Sequence, residues 1–463
     1  MTKSRVLSYA IGGLSSKLMS FILLPVYSYY LAVSELGELD YMLSLIALLV
    51  PIVGMQLSDS AYRWMVADDS GLSKRTEVMY DTLLPTLLMC MVAVGSIFVF
   101  SRVKGVDVLL GFASLLMGGV LFSYFQQLLR GVKRFNGYAI VGFLQAFLTL
   151  AFSVLVLLWL QGGVRELILA QAAANCVAVI VSIALLRADF QWSRVSLRLG
   201  RVREYLIYSG PLMANAVGWW LLLMLNRIIV VEYLGYEESG IYAIASRYSS
   251  MVAIVNSVIL LGIQDRVLEG ENDANSLVGE RGAFERFLKI EFLLLMILCA
   301  MSPLIMLTVD ENYYKAWIYL PILFAASVLS AFAAYIGLGY QRVRNTNGIL
   351  VTNLLGAMFS VIFTVVLIER IGLYAASVGT LLGFAVMLFA RQYGLRKDYN
   401  LGMRYGFFVK GVFFWMVLYA LQLFAGQVAG YVFGVMVVLV FSSSCREDIF
   451  QLLGRFVGNA KRS

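Results

Sequence analysis

Three cations sit inside apolar runs long enough to cross a bilayer. Arg227 lies in LMANAVGWWLLLMLNRIIVVEYL (212–234) and Arg247 in IYAIASRYSSMVAIVNSVILLGI (241–263). Lys17 lies inside the first apolar run, which begins near Ser8. A charged side chain in hydrocarbon costs at least about 2.5 kcal/mol, so it is kept where it lines a water-filled path, binds an anion or pairs with an acid. Counting back from Tyr233 and on from Ser239, both arginines sit roughly 9–12 Å below the same membrane face. Two cations at one depth on consecutive helices can converge on one anion.

Polar neighbours extend this pattern. Asn215, Trp219, Leu222 and Asn226 form one helical stripe, and Tyr242, Ser246, Ser249 and Asn256 another. Gly13, Ser16, Lys17 and Ser20 share a small polar face of the first run. Amides, hydroxyls and aromatic faces suit sugar rings, which present both hydroxyls and apolar patches. The substrate-binding expectation is therefore Arg227, Arg247, Lys17, Asn226, Asn215 and Trp219. The competing reading is hydrogen bonding between helices and, for the arginines, a structural ion pair, for instance with Glu232.

Other chemistries are poorly supplied. Histidine is absent, which removes imidazole bases, relays and metal ligands. Cys90, Cys176, Cys299 and Cys445 are isolated in apolar runs, giving neither a disulfide framework nor a zinc spacing. There is no GxxxxGK[ST] phosphate loop. Asp40, Asp59, Asp81, Glu232, Asp265 and Glu291 all read as lying near span ends, so no deep carboxylate offers itself for coupling to protons or sodium. No cofactor, no metal and no catalytic residue is expected, and the chain does not read as an enzyme.

The elements that position these residues are membrane spans. The chain has 463 residues, 61% hydrophobic and 14% charged, against about 25% charged in soluble domains. Apolar runs recur at about 8–31, 41–64, 80–101, 108–129, 137–160, 166–187, 206–233, 239–263, 287–309, 316–340, 347–368, 373–393, 407–425 and 429–445. That predicts an all-α polytopic protein of about 14 transmembrane helices. The first run has no signal-peptide cleavage pattern and reads as a retained helix. Most of the 36 Lys and Arg fall in alternate connections, which places both termini in the cytoplasm. The same bias explains the net charge of +8, so nucleic acid is not an expected partner.

A repeat is visible in the loops. YYLAVSELGELDY (29–41) aligns with EYLGYEESGIYAI (232–244) at a shift of 203: Tyr30 with Tyr233, Leu31 with Leu234, Glu35 with Glu238, Gly37 with Gly240. The shift also places Arg63 on Arg266. A repeat of six helices keeps the same orientation in the membrane, which predicts two pseudo-symmetric lobes around a central cavity. The expected division is an N-lobe at 1–190, a cytoplasmic linker at 191–205, a C-lobe at 206–400, and two extra helices with a cytoplasmic tail at 401–463.

The opening GGLSSKLMSFILLPVYSYYLAVSELGELDY, a second span ending in SAYRW, and the junction NRIIVVEYLGYEESGIYAIA carry a resemblance. They are similar to the polysaccharide-transporter (Wzx-type) flippases, a branch of the superfamily holding multidrug and toxin extruders and lipid II flippases. The resemblance covers roughly residues 5–400. It implies a MATE-like fold and a flippase of the bacterial inner membrane. Its cargo would be a polyprenyl-diphosphate-linked oligosaccharide for O-antigen, capsule or exopolysaccharide, moved to the periplasmic leaflet by alternating access. Implied partners are that lipid-linked oligosaccharide, membrane lipid, and a polysaccharide polymerase or secretion protein. Arg227 falls on the family's Arg position, whereas Asn226 departs from the commoner Asp.

The alternatives are a multidrug or cation antiporter of the same superfamily, which would favour a buried acid, and a non-transporting membrane subunit of a polysaccharide secretion complex. A membrane glycosyltransferase would show acidic catalytic residues or a large outer loop, and neither is visible. If the arginines bind anionic cargo, changing both to Gln is expected to remove surface polysaccharide and leave the protein level intact.

Overall fold

The structure, a computed structural model, describes residue 19 and residues 21–67, 71–104, 108–190, 198–269, 274–343, 346–396 and 405–443. Among the described residues all regular structure is helical. Eleven helices among the described residues are long and apolar enough to cross a membrane. The difference from the expected number has three sources. The first span is described only as α1 (Phe21–Tyr30), spans seven and eight merge in one stretch, and so do the last two.

The chain divides into two compact units, Met1–Gly240 and Ile241–Ser463. The first unit thus takes in residues 206–240, which the repeat alone assigns to the second lobe.

In the first unit, α2 (Val33–Val53) starts earlier than the apolar run suggests. Its first two turns look like a loop because they carry Glu35, Glu38 and Asp40. Glu35 instead accepts from the Ala32 N–H at 2.9 Å, satisfying a donor that the helix start would orphan. The span then breaks. Pro51 removes one ladder donor, and Met55 and Gln56 both take φ of 48° before α3 (Leu57–Ala67) resumes. Then follow α4 (Leu72–Lys104), α5 (Val108–Gly131), α6 (Phe135–Leu158) and α7 (Val164–Leu186). Their shared core includes Met79, Tyr124, Leu128 and Leu186. The Tyr124 hydroxyl donates to the Met79 carbonyl at 2.8 Å, so this buried phenol is satisfied.

The next helix, α8 (Leu199–Glu269), is continuous except at Gly235, where φ is 83° and ψ is −179°. That backbone is open to glycine and closed to most side chains. Its first segment, taken as far as Gly240, belongs to the first unit and its second to the other.

The second unit continues with α9 (Ala274–Met306), a 3-10 turn (Glu311–Ile318), α10 (Leu320–Arg342), α11 (Thr346–Ile371), α12 (Leu373–Leu395) and α13 (Tyr405–Ser443). A Cβ on Gly434 would lie 3.2 Å from Leu418 Cδ1. Residues that far apart in a straight helix stand about 24 Å apart, so α13 doubles back between them. Its first half is anchored by the Trp415 indole, which donates to the Pro321 carbonyl at 3.1 Å, and by the Tyr419 hydroxyl, which donates to the Ile318 carbonyl at 3.2 Å.

One buried cation organises this unit. Arg391 of α12 is 2% exposed, and its acceptors among the described residues are neutral. Its guanidinium donates to the Ala333 carbonyl of α10 at 2.6 Å, and to Asn353 Oδ1 at 2.8 Å and Thr352 Oγ1 at 3.2 Å, both of α11. Three helices thus share one fork of donors. Arg391→Met removes three hydrogen bonds and leaves the buried Asn353 Oδ1 without this donor, at about 1–3 kcal/mol, and Lys cannot reproduce the planar fork. Both variants are expected to lower the melting temperature of purified protein, Met more than Lys. An unchanged melting curve for Arg391→Met would show that the fork does not hold the three helices.

Candidate functional site

The site in the first unit is built on one face of α2. Gly37, Asp40 and Ser44 follow each other at i, i+3 and i+7, so they share a helix face. The first segment of α8 supplies the matching face from Trp220, Met224 and Arg227, at i, i+4 and i+7. The Trp220 indole donates to the Ser44 carbonyl at 2.7 Å. Arg227 Nη1 reaches both carboxylate oxygens of Asp40, at 2.6 and 2.7 Å. The Asp40 side chain is 2% exposed and that of Arg227 14%. Attraction between these charges is strong because little water screens it, and their removal from water was costly for the same reason.

Beyond the ion pair the two segments close further. The rings of Tyr41 and Tyr236 meet edge to face, with centroids 6.0 Å apart. Gly37 lies against the Tyr236 carbonyl and the Gly240 N–H, and Gly240 lies against the Val33 carbonyl. These contacts are reciprocal under the repeat, because the shift that takes Gly37 to Gly240 also takes Val33 to Tyr236. The two copies of the motif therefore pack on each other about a local two-fold axis. Neither contact leaves room for a Cβ, which accounts for the repeated glycine.

A polar cluster supplied by α3 and α4 holds the start of α8. The Arg198 N–H donates to Asp81 Oδ1 at 2.8 Å, and Arg201 pairs with Glu77 at 2.5 Å. Ser60 Oγ donates to the Tyr205 carbonyl at 2.9 Å, and Trp64 packs edge to face on Tyr205 and Tyr208.

Residues 3–262 match the family model described as polysaccharide biosynthesis protein. The chain belongs to that family. Lsg locus protein 1 of Haemophilus influenzae is 24% identical over 254 residues, 53% of this chain and 61% of that protein. The chain thus spans less than two thirds of this curated relative. A structure of the lipid II flippase MurJ in an inward closed conformation aligns with a TM-score of 0.71 at 12% identity, covering 96% of this chain and 99% of that one. An inward-facing MATE-family multidrug resistance transporter aligns at 0.60 with 14% identity, covering 94% and 95%. At these identities the likeness is one of fold. The chain is a multi-pass membrane protein with the helical fold of the MurJ and MATE transporters.

Its expected site residues fall in both units. Arg227 and the buried Asn226 lie in the first unit on α8, with Trp219 half-buried and Asn215 exposed. Arg247 lies in the second unit, half-buried, and its carbonyl accepts from Ser250 Oγ at 2.6 Å. Lys17 lies outside the described residues. The acid that partners Arg227 is Asp40 and not Glu232, which is exposed. Three of the acids expected near span ends are buried: Asp40 on α2, Asp81 on α4 and Glu291 on α9. Sequence reading missed Asp40, Trp220 and Met224. The signal available was the common face of Gly37, Asp40 and Ser44.

Proposed function

We propose that the protein is a flippase that moves a polyprenyl-diphosphate-linked oligosaccharide from the cytoplasmic to the periplasmic leaflet of a bacterial inner membrane. Both termini are cytoplasmic in this reading, following the distribution of basic residues. The observation that carries it is the coincidence of a polysaccharide-biosynthesis family match with the fold of a lipid II flippase. The family match favours a glycan cargo over a multidrug antiporter's cationic drugs. Transport of this kind makes and breaks no covalent bond, so no catalytic group is needed.

In this reading the α2–α8 contact is the outer closure. Opening it separates Gly37 from Gly240 and strips Asp40 from Arg227. A diphosphate competes with a carboxylate for a guanidinium, because both accept paired N–H donors. Arrival of the cargo at Arg227 therefore offsets the cost of losing Asp40, which ties opening to loading. Arg247, Lys17, Asn226, Asn215 and Trp219 serve the sugar or the second phosphate. A polymerase or secretion protein takes the cargo on the far side.

The reading is tested in cells by deleting the gene and extracting lipid-linked oligosaccharide. The expected result is loss of surface polysaccharide with accumulation of the lipid-linked precursor in the cytoplasmic leaflet, reversed by the wild-type gene. Unchanged polysaccharide and unchanged precursor pools would argue against it.

A further inference from the structure

For the outer closure to open, α2 or the first segment of α8 must move, and the break at the end of α2 bears on which. Pro51 has no N–H to give, and past it the helical ladder shortens. The Met55 N–H donates to the Ile52 carbonyl at 3.1 Å and the Leu57 N–H to the Gly54 carbonyl at 3.0 Å. Met55 and Gln56 both take φ of 48°. A left-handed backbone is uncommon outside glycine, and two such residues in succession persist only where their surroundings impose it.

The two sides of the break are held unequally. In α3, Leu57, Ser58, Ser60, Ala61 and Met65 are buried. Gln127 of α5 donates to Asp59 Oδ1 at 2.7 Å, and the Arg130 guanidinium lies 4.4 Å from the centre of the Tyr62 ring. A Cβ on Gly131 of α5 would lie 3.2 Å from Met65 Sδ. Ser60 and Trp64 tie α3 to the start of α8 as well. The later half of α2 is held more loosely: between Ser44 and Val53 only Ile46 is buried. It meets α5 at Gly119, where a Cβ would lie 3.3 Å from Val50 Cγ2.

No comparable joint lies in α8 between its anchored start and Arg227. Pro211 removes one donor there, but the dihedrals stay helical as far as Gly235, which lies beyond Arg227.

A cavity of about 220 Å³ opens at the break, faced by Gln56, Ser58, Thr86 and Ser123 beside Val50 and Gly54. An amide and three hydroxyls supply the roughly two to four polar partners that a buried water needs. Within a bilayer, backbone groups released from a helix need such partners too.

We propose that Met55 and Gln56 form the hinge of the outer closure: α2 swings as a lever on a stationary α3, while the first segment of α8 keeps its place. The cavity is the wet foot of that hinge, where Gln56, Ser58 and Ser123, with water, take up the backbone groups that the swing exposes. The use of this movement rests on the flippase reading above; its existence does not.

The test uses spin-label pairs in a background without the native cysteines. One label is at Ile180→Cys of α7 and the other at Ala47→Cys of α2, Val66→Cys of α3 or Leu223→Cys of α8, all exposed positions. Distances are measured by pulsed electron spin resonance in lipid nanodiscs, with and without Gly240→Val, which parts α2 from α8 in the absence of cargo. Gly37→Val replaces it should that variant fold poorly. The Ala47 distance is expected to shift by several ångström and the Val66 and Leu223 distances to stay. Gln56→Gly lifts the backbone constraint and is expected to broaden the Ala47 distribution alone. An unmoved Ala47 distance, or a shift at Leu223 in its place, would overturn the hinge. Equal shifts at Ala47 and Val66 would overturn it as well, because the span would then move in one piece. Wild type in proteoliposomes is expected to move a polyprenyl-diphosphate-linked oligosaccharide. If the distances behave as expected and no cargo moves, the flippase reading fails and the hinge stands.

Discussion

Arg227→Gln is expected to remove surface polysaccharide and also to reduce the amount of folded protein. Asp40 is buried beside it, and removing one partner of a buried ion pair costs about 3–5 kcal/mol because the other charge is left uncompensated. That is a large part of a typical stability of about 5–15 kcal/mol. From sequence alone an intact protein level was expected, since the arginine was read as facing cargo. The pairing with Asp40 reverses that part of the expectation. The double variant Asp40→Asn with Arg227→Gln removes both charges and leaves two amides able to hydrogen-bond. It is expected to recover most of the lost protein, measured by thermal unfolding in detergent, and to remain inactive because the guanidinium is gone. Arg227→Gln protein as stable as wild type would mean that the pair contributes little to the fold. Full activity in the double variant would mean that the guanidinium does not handle cargo.

The second large effect is expected at the reciprocal glycines. A Cβ at Gly37 meets the Tyr236 carbonyl, and one at Gly240 meets the Val33 carbonyl, so neither clash can be relieved by turning a flexible side chain. Overpacking of a well-filled contact costs about 1–3 kcal/mol, and backbone on both sides pushes this toward the upper end. Gly37→Val and Gly240→Val are expected to force α2 away from the start of the second repeat. The two should act alike, because the repeat makes the contacts equivalent. The measurement is disulfide yield between cysteines placed at Tyr41 and Tyr236 in a background without the native cysteines. It should fall several-fold in either glycine variant. An effect at one glycine and none at the other would remove the local two-fold axis from the account.

Much of this arrangement was legible in the chain. Apolar runs mark the helices because a bilayer leaves the backbone no other partner than itself. The repeat marked Gly37 and Gly240 as equivalent, and the structure brings them together. What stayed hidden was burial of acids. Glu35, Glu38 and Asp40 read as a loop, since charge near a span end is usually solvated. Only tertiary packing separates a capping Glu35 from an ion-paired Asp40. Glu291 was hidden for a related reason: it opens an apolar run directly after a stretch with five charged residues, where an acid is usually solvated, yet it is 0% exposed. Arg391 was hidden because it ends an apolar run, where an arginine ordinarily reaches for water. The break at Met55 and Gln56 has no marker beyond Pro51, since neither residue favours a left-handed backbone.

The central claim is that cargo moves only when α2 parts from the first segment of α8. Its most direct test uses proteoliposomes loaded with a polyprenyl-diphosphate-linked oligosaccharide, with the Tyr41→Cys and Tyr236→Cys pair oxidised and then reduced. The account expects transport in the reduced protein, arrest when the disulfide forms, and recovery on adding reductant. Transport that continues at an undiminished rate with the disulfide fully formed would contradict it.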